Sequence, residues 1–289
     1  MVKKEQLIIS FAGIRIRLIL PNPIDCPKEL VPFLCTDAEE VDVEYEIVLL
    51  TEPLQLSKEP HAVASGVRIY QYKNHWLRVY GALTTEDGCQ VACLLRPNGK
   101  NILYYPATRW AYYSEEWHFL HLIGIEAVLL QYDALLLHSS VVMIHDQVVL
   151  FSGPSQVGKS TQANLWSNYL GADVLNGDRC VIRKKAGGFY GCGSPWCGTS
   201  AIYRKEQGKI KGIFMLRQAK ENTIRKLSVE AFTKIFQNCI VNLWDQAFVM
   251  KMTDLITELL EQVPVYELAC RPDEEAVRLA YGTLFEGGV

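Results

Sequence analysis

The sequence lacks the long uncharged apolar stretch that a membrane-spanning helix or a secretory signal requires. No such stretch follows the first residues, Met1 to Glu5, so we expect no signal peptide. The most apolar segment, residues 119–137, contains polar residues that include Glu126 and Asp133. A buried helix and strand fit this segment better than a membrane span. These absences predict a cytoplasmic protein with no membrane partner.

An excess of positive charge is also missing. The 289 residues include 29 Lys and Arg against 32 Asp and Glu, which gives a formal net charge of −3. Nucleic acids and anionic membranes attract strongly basic proteins, so we expect neither as a partner. Hydrophobic residues make up 49% of the chain, and its length suits one large or two medium domains.

No two of the 9 cysteines have the C-x-x-C spacing, and their number is odd. In the absence of a secretory signal, this usage predicts free thiols in a reducing cytoplasm. A metal site that uses Cys89 with Cys93, or Cys192 with Cys197, is an alternative. We favour buried cysteines that act as small apolar side chains.

The first hundred or so residues contain mainly β-strand patterns. β-Branched and aromatic residues are frequent, and short polar stretches separate the runs, as in hairpins. We expect strands over residues 6–20, ended by a turn at Pro21-Asn22-Pro23, and over 43–50, 67–72, 76–80, 90–95 and 101–105. Because no catalytic motif is present here, we predict a smaller β-rich domain of unknown role over residues 1–113.

The rest of the chain alternates helix and strand patterns, which is typical of an α/β fold. Ser114 is an N-cap candidate for an apolar helix that runs to about Tyr132. A hairpin of two strands, residues 135–144 and 148–151, follows this helix. We expect an α/β nucleotide-binding domain over residues 114–289 and an α+β chain overall.

A phosphate-binding loop pattern, G-x-x-x-x-G-K-S, extends from Gly153 to Ser160. Its two glycines let backbone N–H groups turn towards a polyphosphate, Lys159 neutralises phosphate charge, and the Ser160 hydroxyl can bind Mg²⁺. A short apolar strand precedes the loop and a helical pattern follows it up to Gly171, as a true loop requires. We expect these residues to bind the phosphates of a nucleotide: Gly153, Pro154, Ser155, Gln156, Val157, Gly158, Lys159, Ser160 and Thr161.

Two further side chains are candidates for chemistry beside the loop. Asp178 lies beyond the helix and its connection into the next strand, where an acid commonly holds Mg²⁺; an ordinary turn is the alternative. His138 lies in the apolar strand next to the strand of the loop, and a buried structural histidine is the alternative there. Three arginines are candidate phosphate contacts or surface charges: Arg179, Arg204 and Arg217.

From His138 to Arg179 the sequence resembles the catalytic core of HPr kinase/phosphorylase and its relatives, whose P-loop fold is of the phosphoenolpyruvate-carboxykinase type. His138 precedes Gly153 by the family's spacing, and Gly177-Asp178-Arg179 stands where the family has Asp-Asp-Arg. The later loop Gly193–Gly198 is similar to that of uncharacterised relatives. It is either an acceptor-binding loop or a segment with its Trp packed on the core.

Two positions depart from the family's pattern. Gly177 replaces the first of two adjacent acids, to which the family assigns proton transfer, and Thr161 stands where HPr kinases carry Glu. These departures imply that Asp178 acts on the acceptor alone or with His138. They also imply an acceptor other than HPr.

Residues and resemblance together predict an ATP- and Mg²⁺-dependent kinase that transfers the γ-phosphoryl group to a hydroxyl of a small molecule, peptide or protein. The expected catalytic residues are His138, Lys159 and Asp178, and the expected metal ligands are Ser160 and Asp178. Gly177 favours the alternative, a nucleotide-binding but catalytically silent sensor or scaffold. An oligomer is compatible with the sequence.

Overall fold

The computed structural model describes residues 4–35, 40–56, 59–64, 66–72, 75–96, 99–111 and 118–287. Over these residues the protein has a mixed α/β structure with two eight-stranded sheets. The chain divides into two compact units, residues 1–128 and 129–289. Compactness alone does not establish that a unit folds by itself, so the domains 1–113 and 114–289 remain predictions.

The first unit is built on one mixed sheet. Its strands are β1 (Lys4–Phe11), β2 (Ile14–Ile24), β3 (Val43–Leu50), β4 (Ala62–Ala64), β5 (Val67–Tyr72), β6 (His75–Tyr80), β7 (Val91–Leu95) and β8 (Asn101–Pro106), with 3-10 helices at Lys28–Phe33, Gly81–Leu83, Ala107–Arg109 and His118–His121. The strand order is β1-β2-β3-β8-β7-β6-β5-β4. Along β2, Ile14, Ile16 and Leu18 are buried while the intervening residues are half-exposed, as the two-residue period of a strand requires. The predicted strands from residue 43 to residue 105 are confirmed.

The predicted turn at Pro21-Asn22-Pro23 is wrong, because these residues lie within β2. The pairing with β1 jumps from Lys4↔Ile24 to Gln6↔Ile19, so the proline segment lies opposite an irregularity in the ladder. Proline lacks a backbone N–H and is accommodated at such irregularities. The chain reverses instead at Ala12-Gly13, where φ is 51° and 73°.

The predicted apolar helix from Ser114 is only partly correct. Ser114 itself lies outside the described residues. The chain forms a 3-10 helix at His118–His121 and then the α-helix α1 (Ile125–Gln131). Gly124 separates the two with φ of 60°, and a Cβ at this position would lie 2.8 Å from Nη1 of Arg78. A left-handed glycine in close packing therefore interrupts the helix.

The second unit is an α/β structure. Its elements are β9 (Ala134–Ile144), β10 (Gln147–Ser152), α2 (Lys159–Leu170), β11 (Asp173–Asn176), β12 (Arg179–Lys185), β13 (Gly188–Cys192), β14 (Gln207–Gln218), β15 (Thr223–Lys226), α3 (Val229–Asn238), α4 (Gln246–Gln262), β16 (Val265–Cys270) and α5 (Glu274–Phe285), with a 3-10 helix at Gly198–Ser200. The predicted hairpin before the loop and the helix after it are confirmed. Gly171 ends α2 in the left-handed conformation, with φ of 67°.

The second sheet closes on itself around the strand that leads into the loop. Its order is β10-β9-β12-β13-β14-β16-β15, with β11 paired to β9, and β10 also pairs with β14. The strands β9, β12, β13, β14 and β10 therefore form a ring of pairings. Glycines permit this closure: a Cβ on Gly191 would lie 2.6 Å from Cγ1 of Val148, and one on Gly208 would lie 3.1 Å from Cγ2.

Aromatic packing fixes the strand before the loop to the helix after it. Phe151 on β10 meets Trp166 on α2 edge-on, with 5.5 Å between ring centroids. On its other side, Phe151 stacks with Phe214 on β14 at 5.8 Å. All three side chains are fully buried, and aromatic pairs of this kind each contribute about 0.5–1.5 kcal/mol beyond their burial.

The helices and the cysteines bear on the expectations drawn from composition. Within the ranges listed above, no helix is long and apolar enough to cross a membrane. All 9 cysteines lie among the described residues, none is assigned to a disulfide, and most are buried. The cysteines therefore behave as the small apolar side chains that the sequence favoured.

We predict that Gly191→Ala destabilises the protein by about 1–3 kcal/mol, because the added methyl group overpacks the ring against Val148. The measurement is the free energy of unfolding in urea. Gly282→Ala on α5 is the matched control, since a Cβ there meets only the end of the Glu286 side chain at 3.4 Å. This control should be neutral or stabilising by up to about 1 kcal/mol. Equal stability of Gly191→Ala and the wild type would contradict the closed ring.

Candidate functional site

The phosphate-loop sequence connects the carboxyl end of β10 to the first turn of α2. Gly153 and Gly158 have φ of 141° and 111°, values that residues with a Cβ rarely adopt. Gln156 has φ of 64°, and its carbonyl accepts a hydrogen bond from Nε2 of Gln218 at 3.2 Å. The end of β14 thus supports the middle of the loop. Several residues of the motif are exposed: Pro154, Ser155, Gln156, Ser160 and Thr161.

Lys159 is held by the loop's own backbone. Its Nζ donates hydrogen bonds to the carbonyl oxygens of Gly153 and Pro154, at 3.0 and 2.9 Å. The residue is buried, at 7% exposure. Burial lowers the pKa of the Lys159 ammonium, and the negative charge of Asp178 partly opposes this shift. The loop therefore keeps a desolvated cation within the electrostatic influence of Asp178.

Asp178 and His138, both predicted as catalytic, lie in contact. Nε2 of His138 is 3.3 Å from Oδ1 of Asp178, and Nε of Arg179 is 3.4 Å from Oδ2. The hydrogen bond from His138 is the largest cause that lowers the pKa of Asp178, burial opposes it, and the charges of Arg179 and Lys159 lower the pKa further. Asp178 is therefore a carboxylate at neutral pH.

The turn that carries Asp178 is tied to β9 and to the helix after the loop, α2. The Gly177 carbonyl accepts hydrogen bonds from Oγ of Ser140 on β9, at 3.0 Å, and from Oγ of Ser160 on α2, at 3.4 Å. The backbone N–H of Ser139 donates to the Asp178 carbonyl at 3.0 Å. These bonds bring the Ser160 hydroxyl to the residue that directly precedes Asp178.

Asn176 is a residue of the site that the sequence reasoning missed. It ends β11, is fully buried, and its Oδ1 accepts from the backbone N–H groups of Asp178 and Arg179, each at 2.8 Å. Asn and Asp side chains commonly accept from the backbone two residues ahead in a turn. The Asn176-Gly177 pair at the turn was the available signal.

The loop of residues 193–200 approaches the carboxylate closely. A Cβ on Gly198 would lie 2.9 Å from Cβ of Asp178, and a Cβ on Gly177 would overlap the side chain of Ser200. Ser200 thus occupies the space that the Cβ of an acidic residue at position 177 would need. Trp196 is buried at 1% exposure, which agrees with a Trp packed on the core.

Of the three candidate arginines, only Arg179 contacts a predicted catalytic residue in the described part of the chain. Arg204 forms an ion pair with Asp173, at the start of β11, over 2.8 Å. Arg217 lies 3.6 Å from a glutamate on β16, Glu267. These two arginines are therefore engaged in other ion pairs.

Among the described residues, no group of three or more His, Cys, Asp or Glu side chains could hold a metal ion. The cysteine pairs considered from the sequence therefore belong to no such cluster. Ser160 and Asp178 offer a hydroxyl and a carboxylate oxygen. This donor chemistry fits Mg²⁺, which binds few protein oxygens and completes its shell with water and phosphate.

The chain has no sequence match among known families or curated proteins, and it has distant structural similarity to a solved protein. No family model matches the chain, and no curated protein matches its sequence. The chain is similar to the solved structure of the Hpr(Ser) kinase/phosphatase from Coxiella burnetii, with 13% sequence identity, a TM-score of 0.31, and coverage of 53% of this chain and 88% of that chain. Similarity at this level carries no functional inference, so a function must rest on the contacts of the site.

We predict that Gly177→Ala and Ser200→Gly compensate for one another. The Gly177→Ala change alone should destabilise the protein by about 1–3 kcal/mol, because its Cβ overlaps Ser200. In the double variant this overlap is absent. The measurement is a double-mutant cycle of unfolding free energies, with an expected coupling of at least about 1 kcal/mol. Additive effects of the two changes would show that Ser200 does not occupy this space.

Proposed function

We propose that the protein is an ATP- and Mg²⁺-dependent kinase that transfers the γ-phosphoryl group to a hydroxyl of a small molecule, peptide or protein. The observation that carries this proposal is the convergence of Lys159, Ser160, Asp178 and His138 beside one loop. A loop for phosphate, oxygen ligands for a metal, and a carboxylate–imidazole pair are the parts that phosphoryl transfer needs.

The loop and the start of α2 would bind the phosphates. Gly158, the N-cap of α2, forms no side-chain capping bond, so the first backbone N–H groups of the helix are available to an anion. Lys159 would exchange its bonds to the carbonyls of Gly153 and Pro154 for bonds to phosphate oxygens. Its ammonium is already buried, so this exchange adds little desolvation cost.

Ser160 and Asp178 would hold Mg²⁺ together with phosphate oxygens of the nucleotide. When bound, the ion neutralises charge that develops on the transferred phosphoryl group. Asp178 suits this role because its lowered pKa keeps it ionised at neutral pH. The hydrogen bonds to the Gly177 carbonyl keep the Ser160 hydroxyl near that carboxylate.

His138 would assist the acceptor. The Asp178 carboxylate favours the histidine tautomer with its proton on Nε2, which leaves Nδ1 to accept the proton of an acceptor hydroxyl. Positioning and charge stabilisation dominate phosphoryl transfer, and proton removal adds less. A second acid in the place of Gly177 is therefore not essential to this chemistry.

The class that this arrangement supports best is an HPr-kinase-like P-loop kinase of the phosphoenolpyruvate-carboxykinase type. The spacing of His138, the loop from Gly153 and Asp178 supports this class. We infer an acceptor other than HPr, since Thr161 departs from the pattern of HPr kinases. We also infer an acceptor other than nucleic acid, since the net charge is −3. The free cysteines support a reducing, cytoplasmic setting.

A second candidate function is nucleotide binding without catalysis, in a sensor or scaffold. Gly177 favours it, because the position of the family's first acid is occupied by the side chain of Ser200. In this case the loop and Lys159 would retain their role, and the first unit would supply the partner surface. Both candidate functions include nucleotide binding, and only the kinase transfers a phosphoryl group.

We predict that Lys159→Ala weakens ATP binding at least tenfold, because the loss of charge-assisted hydrogen bonds costs about 1.5–3 kcal/mol. Isothermal titration calorimetry with ATP is the measurement. Lys28→Ala is the matched control, since the Lys28 side chain is 81% exposed in the first unit, and its ATP affinity should equal that of the wild type. Unchanged affinity in Lys159→Ala would remove both candidate functions.

We predict that Asp178→Asn lowers phosphoryl transfer from γ-labelled ATP by at least about tenfold, because it weakens the metal site. ATP binding in EDTA should persist in this variant, since the loop is intact. Transfer is measured across a panel of small hydroxyl compounds, peptides and proteins. If the wild type binds MgATP and no member of a broad panel becomes labelled, the kinase proposal fails and the silent binding role stands.

A further inference from the structure

The Asn176 side chain uses all of its hydrogen-bonding capacity inside the protein. Its Oδ1 accepts from the N–H groups of Asp178 and Arg179. Its Nδ2 donates to the carbonyl oxygens of Ser194, at 2.9 Å, and Trp196, at 3.2 Å, with Oγ of Ser194 also at 3.3 Å. A primary amide offers two donors and one oxygen with two lone pairs. One fully buried amide therefore joins the turn of Asp178 to the 193–200 loop.

These bonds restrict the backbone of Asp178 from both sides. Its N–H is bound by Asn176, and its carbonyl oxygen is bound by the N–H of Ser139 at 3.0 Å. The position of the carboxylate then depends on the side-chain torsions of Asp178, and the contact with His138 restricts these torsions. A ligand that is already ordered loses less entropy when a metal binds.

The 193–200 loop packs against the same turn. Oγ of Ser194 donates to the Arg179 carbonyl at 2.8 Å, and Gly198 packs against the side chain of Asp178. Nδ2 of Asn176 bonds to the loop, and Oδ1 of the same amide bonds to the turn of Asp178. Substitutions at position 176 and at Ser194 can therefore separate the effect of the Oδ1 bonds on Asp178 from the effect of the Nδ2 bonds on the loop.

We propose that Asn176 is a positioning residue that sets the affinity of the site for Mg²⁺ by holding Asp178 through its Oδ1. This inference rests on the proposed function, because it takes Asp178 as a ligand of the nucleotide-bound metal. It assigns the turn bonds to metal binding and the Nδ2 bonds to the packing of the loop. Groups that orient a metal ligand in this way typically change metal affinity by about 10–100-fold when removed.

The test is a series of substitutions graded by the acceptor that each supplies at position 176. Affinity for Mg²⁺ is measured on the protein–ATP complex by Mn²⁺ displacement in electron paramagnetic resonance, and ATP affinity is measured separately in EDTA. Asn176→Ala should lower Mg²⁺ affinity about tenfold, with ATP affinity in EDTA unchanged within about twofold. Asn176→Ser should be intermediate, because its hydroxyl accepts more weakly in such turns. Asn176→Asp should stay within about threefold of the wild type, because it keeps the acceptor.

Two controls separate positioning from general packing. Ser194→Ala removes a loop hydroxyl and leaves the Oδ1 bonds, so its Mg²⁺ affinity should equal that of the wild type. Asn101→Ala removes a buried amide of the first unit, whose Oδ1 accepts from the Arg96 N–H. This control should lower thermal stability without an effect on Mg²⁺ affinity.

The outcomes distinguish the inference from the function on which it rests. A wild type that shows no Mg²⁺-dependent nucleotide binding would overturn both. A wild type that binds MgATP, with equal Mg²⁺ affinities across the series at position 176, would overturn the positioning role alone. An equal loss in Ser194→Ala and Asn176→Ala would also overturn it. If Asn176→Ala does not fold, the comparison of Asn176→Ser with Asn176→Asp decides.

Discussion

The Gly177 carbonyl accepts hydrogen bonds from two serine hydroxyls, Ser140 on β9 and Ser160 at the start of α2. These bonds, with the Ser139 N–H bond to Asp178, place the carboxylate beside the phosphate loop. Without them the loop of residues 153–158 would have no acid held beside it. The aromatic contacts of Phe151 hold β10 against α2, so the helix that supplies Ser160 cannot shift independently of the strand.

Local pattern was sufficient to predict the loop, its strand and its helix, because each depends on neighbours in sequence. The apolar run of β10, the glycines of the loop and Gly171 at the helix end are signals of this kind. The contact of His138 with Asp178 depends on the pairing of β9 with β12, which the local patterns did not predict.

The features that could not be predicted depend on contacts distant in sequence. The acceptors of the Asn176 Nδ2 hydrogen bonds lie on a loop some twenty residues away, and Ser200 fills the space above Gly177 only because that loop folds back. In the first unit, the irregular pairing of β1 lets prolines continue β2. Gly124 breaks a helix that apolar periodicity favoured. In each case, contacts between distant parts of the chain decide the local structure, and local sequence preference does not.

The chemistry of the site depends on how a single carboxylate is used. Asp178 is shared between the imidazole of His138 and the guanidinium of Arg179. Its lowered pKa suits a metal ligand better than a general base. Under the proposed function, Asp178 and Lys159 would stabilise charge and His138 would accept the proton. Ser200 then limits the site to this one acid by occupying the position next to Gly177.

The most direct test of this arrangement is a crystal structure of the protein with Mg²⁺ and a non-hydrolysable ATP analogue. We predict phosphates wrapped by the loop of residues 153–158, with Mg²⁺ about 2.1 Å from Oγ of Ser160. Asp178 should bind the ion directly or through one water, with Nδ1 of His138 facing the γ-phosphate. A nucleotide bound elsewhere, or a metal ion with no contact to Ser160 and Asp178, would contradict the proposed site.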